Sequence, residues 1–191
     1  MAFKPIATTR SAAGLLTAKL AVWWLLASEI VIFGGVLASY IMHRIGHPEW
    51  ANYAVHTNVY AGGFNTFVLL SSSFTAVLAH REAQLKNGPG AAKYLVMTMG
   101  GAATFLVVKS LEWTNEITHG YTITANAFWS FYYTAAGIHG LHVIFGAAIM
   151  GWVANSARKN EELHRVELVG LYWHFVDLVW IFLFPLLYIA K

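Results

Sequence analysis

The sequence predicts an all-α membrane protein, a polytopic transmembrane helix bundle with about five spanning helices. Only 11% of its 191 residues are charged and 58% are hydrophobic, whereas a soluble domain carries about 25% charged residues. Five apolar runs also approach the ~20 residues that a helix needs to cross a bilayer. They cover residues 20–42, 58–79, 94–111, 127–154 and 169–190.

The first run follows a polar segment and gives way to a loop. Residues 1–18 combine Lys4 and Arg10 with polar Thr8 and Thr9 and contain no compact apolar stretch, so no cleavable signal peptide is expected. We expect 1–18 to be an amino-terminal cytoplasmic segment and 19–191 to be one transmembrane helical domain. The polar stretch 43–49 contains the glycine and proline that are typical of loops.

The later runs are separated by equally short polar stretches. Residues 81–93 contain the string NGPG, which is typical of a turn between helices. Small residues four apart, Gly34/Ala38 in the first run and Ala136/Gly140 in the fourth, let helices approach closely in lipid. Because such residues are common in membrane helices, this spacing indicates only that the spans pack together.

Basic residues next to the spans predict the orientation, because Lys and Arg concentrate in cytoplasmic loops. One side would carry nine of them and the other side only Arg44 and Lys191. We therefore expect the amino terminus in the cytoplasm and the carboxyl terminus outside. The nine are Lys4, Arg10, Lys19, Arg81, Lys86, Lys93, Arg158, Lys159 and Arg165.

The chain contains no cysteine, which excludes disulfides, thiolate metal sites, iron–sulfur clusters and thiol nucleophiles. The candidate functional residues are instead polar side chains within the spans, where ionisable groups are costly and usually have a partner. Lys109 and Glu112 are three residues apart and can pair with each other. The set is Glu29, Lys109, Glu112, His139, His142, His174 and Asp177.

Four interpretations of this set remain open. The histidines could ligate a haem, a histidine–carboxylate group could hold a metal, or Glu29, His142 and Asp177 could relay protons. Bundle metal sites use Glu-x-x-His pairs, and no span contains one. The simplest interpretation is that these groups hydrogen-bond across helices and fix the bundle. For Glu29, depth in the membrane leaves His142, His174 and Asp177 as candidate partners.

Five strings occur in order along the runs. They are SEIVIF at 28–33, NT followed by LLSS at 65–72, KxxEW at 109–113, FYxTxxGxHGLHV at 131–143 and YWHFVDxVW at 172–180. Together they resemble subunit III of cytochrome c oxidase and related haem-copper terminal oxidases, from about residue 20 to the end. Many members of that family have seven spans, so this chain resembles the short, five-helix bacterial type. Tyr60 stands where some members carry a membrane glutamate.

The resemblance implies a non-catalytic subunit of a proton-translocating oxidase that reduces oxygen to water. Such a subunit supports stability and sustained proton uptake, and holds phospholipid. Haem and copper would belong to its partners, the catalytic subunit and a copper-bearing or quinol-type second subunit, and this chain would bind no metal and no nucleic acid. Arg158 and Lys159 are the candidate lipid-binding residues. The expected location is the bacterial cytoplasmic (inner) membrane.

Other functions remain open from the sequence. A subunit-III-like protein accompanying nitric oxide reductase would have the same architecture. A membrane transporter is disfavoured because transporters usually have repeated halves and broken helices, and no repeat is present. A b-type cytochrome is a further alternative to an oxidase subunit.

Overall fold

The computed structural model describes residues 17–189, and every regular element in that part of the chain is helical. Five segments are long and apolar enough to cross a membrane, so the prediction of a five-span helical membrane protein is confirmed. The elements are α1 (Thr17–Gly46), α2 (Trp50–Ala54), α3 (Val59–Gln84), α4 (Gly88–Thr118), α5 (Ala127–Arg158) and α6 (His164–Phe184), followed by a π-helical turn (Pro185–Ile189).

The helices extend beyond the apolar runs that predicted them. The run at 94–111 lies within α4, which has 31 residues and a length of about 46 Å, more than the ~30 Å hydrocarbon core. Helix α1 begins at Thr17, inside the segment predicted to precede the membrane domain, and the rest of that segment lies outside the described residues. The short α2 was not predicted.

Asparagine side chains mark the start of three spanning helices. Asn58, Asn87 and Asn126 each accept a hydrogen bond of 3.1 Å from a backbone N–H in the first turn of α3, α4 and α5. This capping satisfies N–H groups that have no partner within the helix. The three caps therefore fix where the polar connections end and the spans begin.

Helices α3 to α6 form a four-helix bundle, and α1 lies beside it. Helix α3 packs on α4 and α6, and α5 packs on the same two helices, which closes the ring. Helix α1 contacts α6 and α5 only lightly. Small residues allow close approach within the bundle: a Cβ added to Gly101 of α4 would lie 2.6 Å from the Cβ of Ser72 on α3.

The end of the bundle at which α1 begins is called the amino-terminal side, and the end at which the π-helical turn lies is called the carboxyl-terminal side. The amino-terminal side holds the start of α1 and the connections 85–87 and 159–163. The carboxyl-terminal side holds α2, the connections 55–58 and 119–126, and the π-helical turn. The polar clusters of the spans lie at different depths between these two sides.

Candidate functional site

Glu29 of α1 reaches the bundle through His142 of α5. Its Oε2 lies 3.0 Å from His142 Nε2, and the Nδ1–H of the same imidazole donates to the Ile138 carbonyl at 2.7 Å. A neutral imidazole has only one N–H. The short Glu29–His142 contact therefore needs one further proton, held either by the carboxyl group or by the imidazole. Of the three candidate partners of Glu29, the structure selects His142.

This pair is partly open rather than sealed in the core. The side chains of His142 and Glu29 retain 20% and 13% of their exposure. The Phe33 ring packs edge-on against His142, with the ring centroids 5.1 Å apart. Both polar side chains line a groove between α1 and α5, together with Tyr172 of α6.

His174 and Asp177 lie elsewhere, on the face of α6 that packs against α3. His174 Nδ1 is 2.5 Å from the Ser73 hydroxyl. The neighbouring Trp173 donates its indole N–H to Ser72 at 3.0 Å. Asp177 is 3% exposed, and neither carboxyl oxygen has a hydrogen-bond partner among residues 17–189. A proton relay that joins Glu29 and His142 to Asp177 therefore finds no hydrogen-bonded connection in this part of the chain.

His139 is fully buried at the centre of the bundle. Its ring lies between Phe105 of α4 and Trp180 of α6, with centroid distances of 5.4 and 5.2 Å. Within the described residues neither ring nitrogen has a hydrogen-bond partner. His139 thus packs as an aromatic ring, although it is only one helical turn from His142.

The most extensive polar cluster surrounds Lys109 of α4. The ammonium group donates to Glu112 Oε2 at 3.1 Å, to the Tyr132 hydroxyl at 2.8 Å, and to the Tyr188 hydroxyl through a short contact. Tyr188 belongs to the π-helical turn. The predicted Lys109–Glu112 pair is present, and it joins α4 to α5 and to the end of the chain.

Glu116 extends this cluster towards the carboxyl-terminal side. Its Oε1 lies 3.0 Å from the Tyr132 hydroxyl, and its Oε2 lies 3.3 Å from the Tyr133 hydroxyl. The sequence interpretation did not include Glu116. The signal was available, because Lys109, Glu112 and Glu116 recur at the three- and four-residue spacing that places side chains on one helix face.

Aromatic rings enclose the Lys109 ammonium group. The centroids of Tyr132 and Tyr188 lie 4.5 and 5.0 Å from its nitrogen, and those of Trp113 and Trp180 lie 5.5 and 5.8 Å away. Faces of aromatic rings attract cations, more strongly where water is excluded. A lysine that would be costly in the membrane is stabilised by two carboxyl groups and by these four rings.

The basic residues on the amino-terminal side are not all arranged alike. Arg158 and Lys159 are exposed at the end of α5. Arg165 instead lies with its guanidinium group 4.6 Å from the Trp152 ring centroid, and both residues line a groove with α1. Nearby, Lys19 of α1 pairs with Glu167 of α6 at 2.5 Å.

The described histidines and carboxylates do not converge on a common centre. Across residues 17–189, no three of them are placed to hold a metal ion together. Most residues of the set are engaged with a helix neighbour or packed among aromatic rings, whereas the Asp177 carboxyl group has no hydrogen-bond partner in this part of the chain. The arrangement joins helices to one another.

Comparison with known proteins assigns this architecture to a family. A family model described as cytochrome c oxidase subunit III matches residues 8–191. The chain is 36% identical to cytochrome c oxidase subunit 3 of Thermostichus vulcanus, over 86% of this chain and 83% of that protein. It is 32% identical to cytochrome c oxidase subunit 3 of Corynebacterium diphtheriae, over 87% and 84% of the two chains.

A third relative is much longer. The chain is 30% identical to the heme-copper oxidase subunit I+III of Aeropyrum pernix, and the match covers 89% of this chain but 22% of that protein. The name of this relative indicates that two oxidase subunits are joined in one polypeptide.

Proposed function

This chain belongs to the cytochrome c oxidase subunit III family, and we propose that it works as a non-catalytic membrane subunit of a haem-copper oxidase. The observation that carries the proposal is the family match across residues 8–191. The geometry agrees with a supporting role, because Glu29, Lys109 and Glu112 are used in contacts between helices. The absence of haem and copper from this chain stays a prediction.

The proposed partners are the catalytic subunit and a copper-bearing or quinol-type second subunit in a bacterial cytoplasmic membrane. The Aeropyrum pernix relative supports the first partner, because its name places subunits I and III in one chain. Purification of the tagged chain in mild detergent tests the assembly. We expect a haem- and copper-containing catalytic subunit to copurify. Recovery of a nitric oxide reductase, or of this chain alone, would contradict the proposal.

The proposed orientation places the amino-terminal side in the cytoplasm. Its support is the excess of basic residues there, nine against two, which membrane insertion favours in cytoplasmic loops. A reporter that is active only in the cytoplasm should be silent when fused after Lys191. The same reporter inserted in the 85–87 connection should be active. The reverse result would invert the orientation.

We also propose that phospholipid occupies the groove between α1, α5 and α6. Two adjoining cavities, of about 240 and 490 Å³, share Leu25, Phe145 and Tyr172 in their walls. The wall is apolar from Arg165 at the amino-terminal side to Glu29 and His142 further along α1 and α5. An acyl chain fits such a wall, because it needs only apolar contact along its length.

Arg165 is the proposed headgroup residue of this groove. A guanidinium group binds phosphate through two parallel hydrogen bonds, and Trp152 holds this one at the mouth of the groove. Arg158 and Lys159 remain candidates for general attraction of anionic lipid, but neither lines the groove. Arg165→Ala should lower the anionic phospholipid that copurifies with the chain, whereas Lys159→Ala should not. Equal lipid content in both variants would remove Arg165 from this role.

A further inference from the structure

A cavity with both polar and apolar lining residues opens beside the Lys109 cluster on the carboxyl-terminal side. Its volume is about 380 Å³, and this cavity is called the vestibule below. The rim includes His56, Asn58 and Asn115, which are all exposed. The floor includes Glu112 and Glu116, which are 6% and 3% exposed. The vestibule therefore leads from an accessible polar rim to two buried carboxyl groups.

The charges behind the vestibule do not balance if both carboxyl groups are ionised. Among residues 17–189, Lys109 is the only ammonium group hydrogen-bonded to either of them, through Glu112, so two carboxylates and one cation in this part of the chain would leave a net negative charge. Uncompensated charge in a buried site is strongly unfavourable. His56 does not correct this, because it lies at the exposed rim and stacks on Tyr121 at 4.8 Å.

The cluster also has fewer hydrogen-bond donors than acceptors in contact with them. Lys109 uses its three protons on Glu112, Tyr132 and Tyr188, and Tyr188 gives its own proton to Glu112 Oε2 at 3.1 Å. Tyr132 has one proton for two acceptors, the Oε1 atoms of Glu112 and Glu116, at 3.2 and 3.0 Å.

The remaining hydroxyl group is engaged elsewhere. Tyr133 lies 2.7 Å from the Tyr121 carbonyl oxygen and 3.3 Å from Glu116 Oε2. A carbonyl oxygen cannot donate, so the single Tyr133 proton points to Tyr121. Glu116 Oε2 then faces the Tyr133 oxygen with no proton between them. One added proton on Glu116 Oε2 would complete this contact.

We propose that Glu116 is a proton-binding site, whose carboxyl proton exchanges with water on the carboxyl-terminal side through the vestibule. With this proton in place, Glu116 donates to the Tyr133 hydroxyl oxygen, and one ammonium group faces one carboxylate. The groups that face Glu116 from its surroundings are Lys109 and Glu112 on α4, Tyr132 and Tyr133 on α5, Tyr188 on the π-helical turn, and His56 and Tyr121 on the connections.

Loss of this proton would place a second negative charge beside Glu112. Lys109 would then face two carboxylates, and Lys109 and Glu112 together make the hydrogen bonds with Tyr188 that attach the π-helical turn to α4. The site thus couples the pH on one side of the membrane to the packing of the end of the chain. This inference does not depend on the proposed oxidase partners.

Infrared spectroscopy of the purified full-length chain tests the proposal, because a carboxylic acid and a carboxylate absorb at different wavenumbers. Glu116→Gln should remove one carboxylic acid band at neutral pH, and that band should shift in D₂O in the wild type. Glu161→Gln, at an exposed position, is the matched control and should remove none. An unchanged carboxylic acid region in Glu116→Gln, or loss of the band in Glu112→Gln instead, would overturn the assignment.

Two further variants cover a folding failure of Glu116→Gln and test the route. Tyr133→Phe keeps Glu116 but removes its hydrogen-bond acceptor, so the band should shift; an unchanged band would contradict the geometry. Ala61→Phe narrows the vestibule and should slow deuterium exchange of the band severalfold, whereas Val107→Phe, on the exposed face of α4, should not. Equal exchange rates would exclude the vestibule as the route.

Discussion

Helix α1 and the bundle of α3 to α6 are held in place by different interactions. Three side chains of α1 are buried among its 30 residues, namely Leu26, Phe33 and Tyr40. In α6, eleven of 21 residues are buried. The bundle is stabilised by close packing and by the Lys109 cluster, whereas α1 has little packing with which to hold its position.

Helix α1 is attached by polar contacts spaced along its length. Lys19 pairs with Glu167 near the start, Glu29 with His142 in the middle, and the Tyr40 hydroxyl donates to the Leu186 carbonyl at 2.9 Å towards the end. In lipid, apolar surface gives no driving force for helix association, so such contacts contribute to it. The comparison shows how one chain can combine a rigid bundle with a weakly packed helix beside a groove.

The largest expected effect is in the bundle. Lys109→Ala leaves Glu112 and Glu116 buried without their cation, which should cost about 3–5 kcal/mol of stability. Thermal unfolding in detergent measures the loss, with Lys93→Ala at an exposed position of the same helix as the control. Equal stability of the two variants would mean that the cluster does not stabilise the bundle.

The next effect separates α1 from the bundle. Glu29→Ala removes one partner of a partly buried pair and should cost about 1–3 kcal/mol in the attachment of α1. Glu29→Gln keeps the shape and much of the hydrogen bonding and should be mild. One cysteine is introduced in α1 and one in α6, and the rate at which they form a disulfide is measured. This rate falls as the two helices spend more time apart.

Glu29→Ala and Lys109→Ala together test whether α1 and the bundle are stabilised by different interactions. Glu29→Ala should increase the separation of α1 without lowering the unfolding temperature of the bundle as far as Lys109→Ala does. If both variants lower the unfolding temperature equally, α1 and the bundle unfold together. Their different packing would then not make α1 less stable than the bundle.

A smaller effect tests the close packing within the bundle. Gly101→Ala forces a methyl group against Ser72 at 2.6 Å, an overpacking of about 1–3 kcal/mol that is partly offset by the ~1 kcal/mol helix preference of alanine. Gly100→Ala and Gly34→Ala meet nothing within 4 Å and should be neutral or stabilising. Thermal unfolding of the three variants should therefore rank Gly101→Ala lowest.

The smallest effect concerns the Lys19–Glu167 pair. Both side chains are 35% exposed, so solvent and salt screen their attraction and the pair contributes about 0–1 kcal/mol. Lys19→Gln should change the separation of α1 less than Glu29→Ala does. The effect of Lys19→Gln should also become smaller at high salt. A larger effect than that of Glu29→Ala would move the main attachment of α1 to its start.

Hydropathy and local spacing explain what the sequence could predict. The number of spans and the Lys109–Glu112 pair depend on residues close together in the chain, and both agree with the structure. The depth of Glu29 reduced its partners to three, but the rotation of each helix about its axis selects His142. That rotation depends on packing among all the helices, which one sequence does not display.

Contacts made by the end of the chain were beyond sequence reasoning for the same reason. The π-helical turn packs beside α2 and α3, and from there the Tyr188 side chain reaches Lys109 on α4 and Tyr132 on α5; no local pattern marks that approach. The small-residue pairs indicated that the spans pack, but Gly34 and Gly140 have nothing within 4 Å of an added Cβ. The tight contact lies at Gly101, whose partner Ser72 is on another helix.

The most direct test of the supporting role is the oxidase purified without this chain and compared with the complete complex. Oxygen consumption is followed from the first turnovers until activity is lost. If this chain is a supporting subunit, the oxidase without it should have nearly the same initial rate as the complete complex but a much shorter active lifetime. Loss of the initial rate itself, with haem and copper still bound in the remaining subunits, would show that this chain takes part in catalysis and would contradict the proposed function.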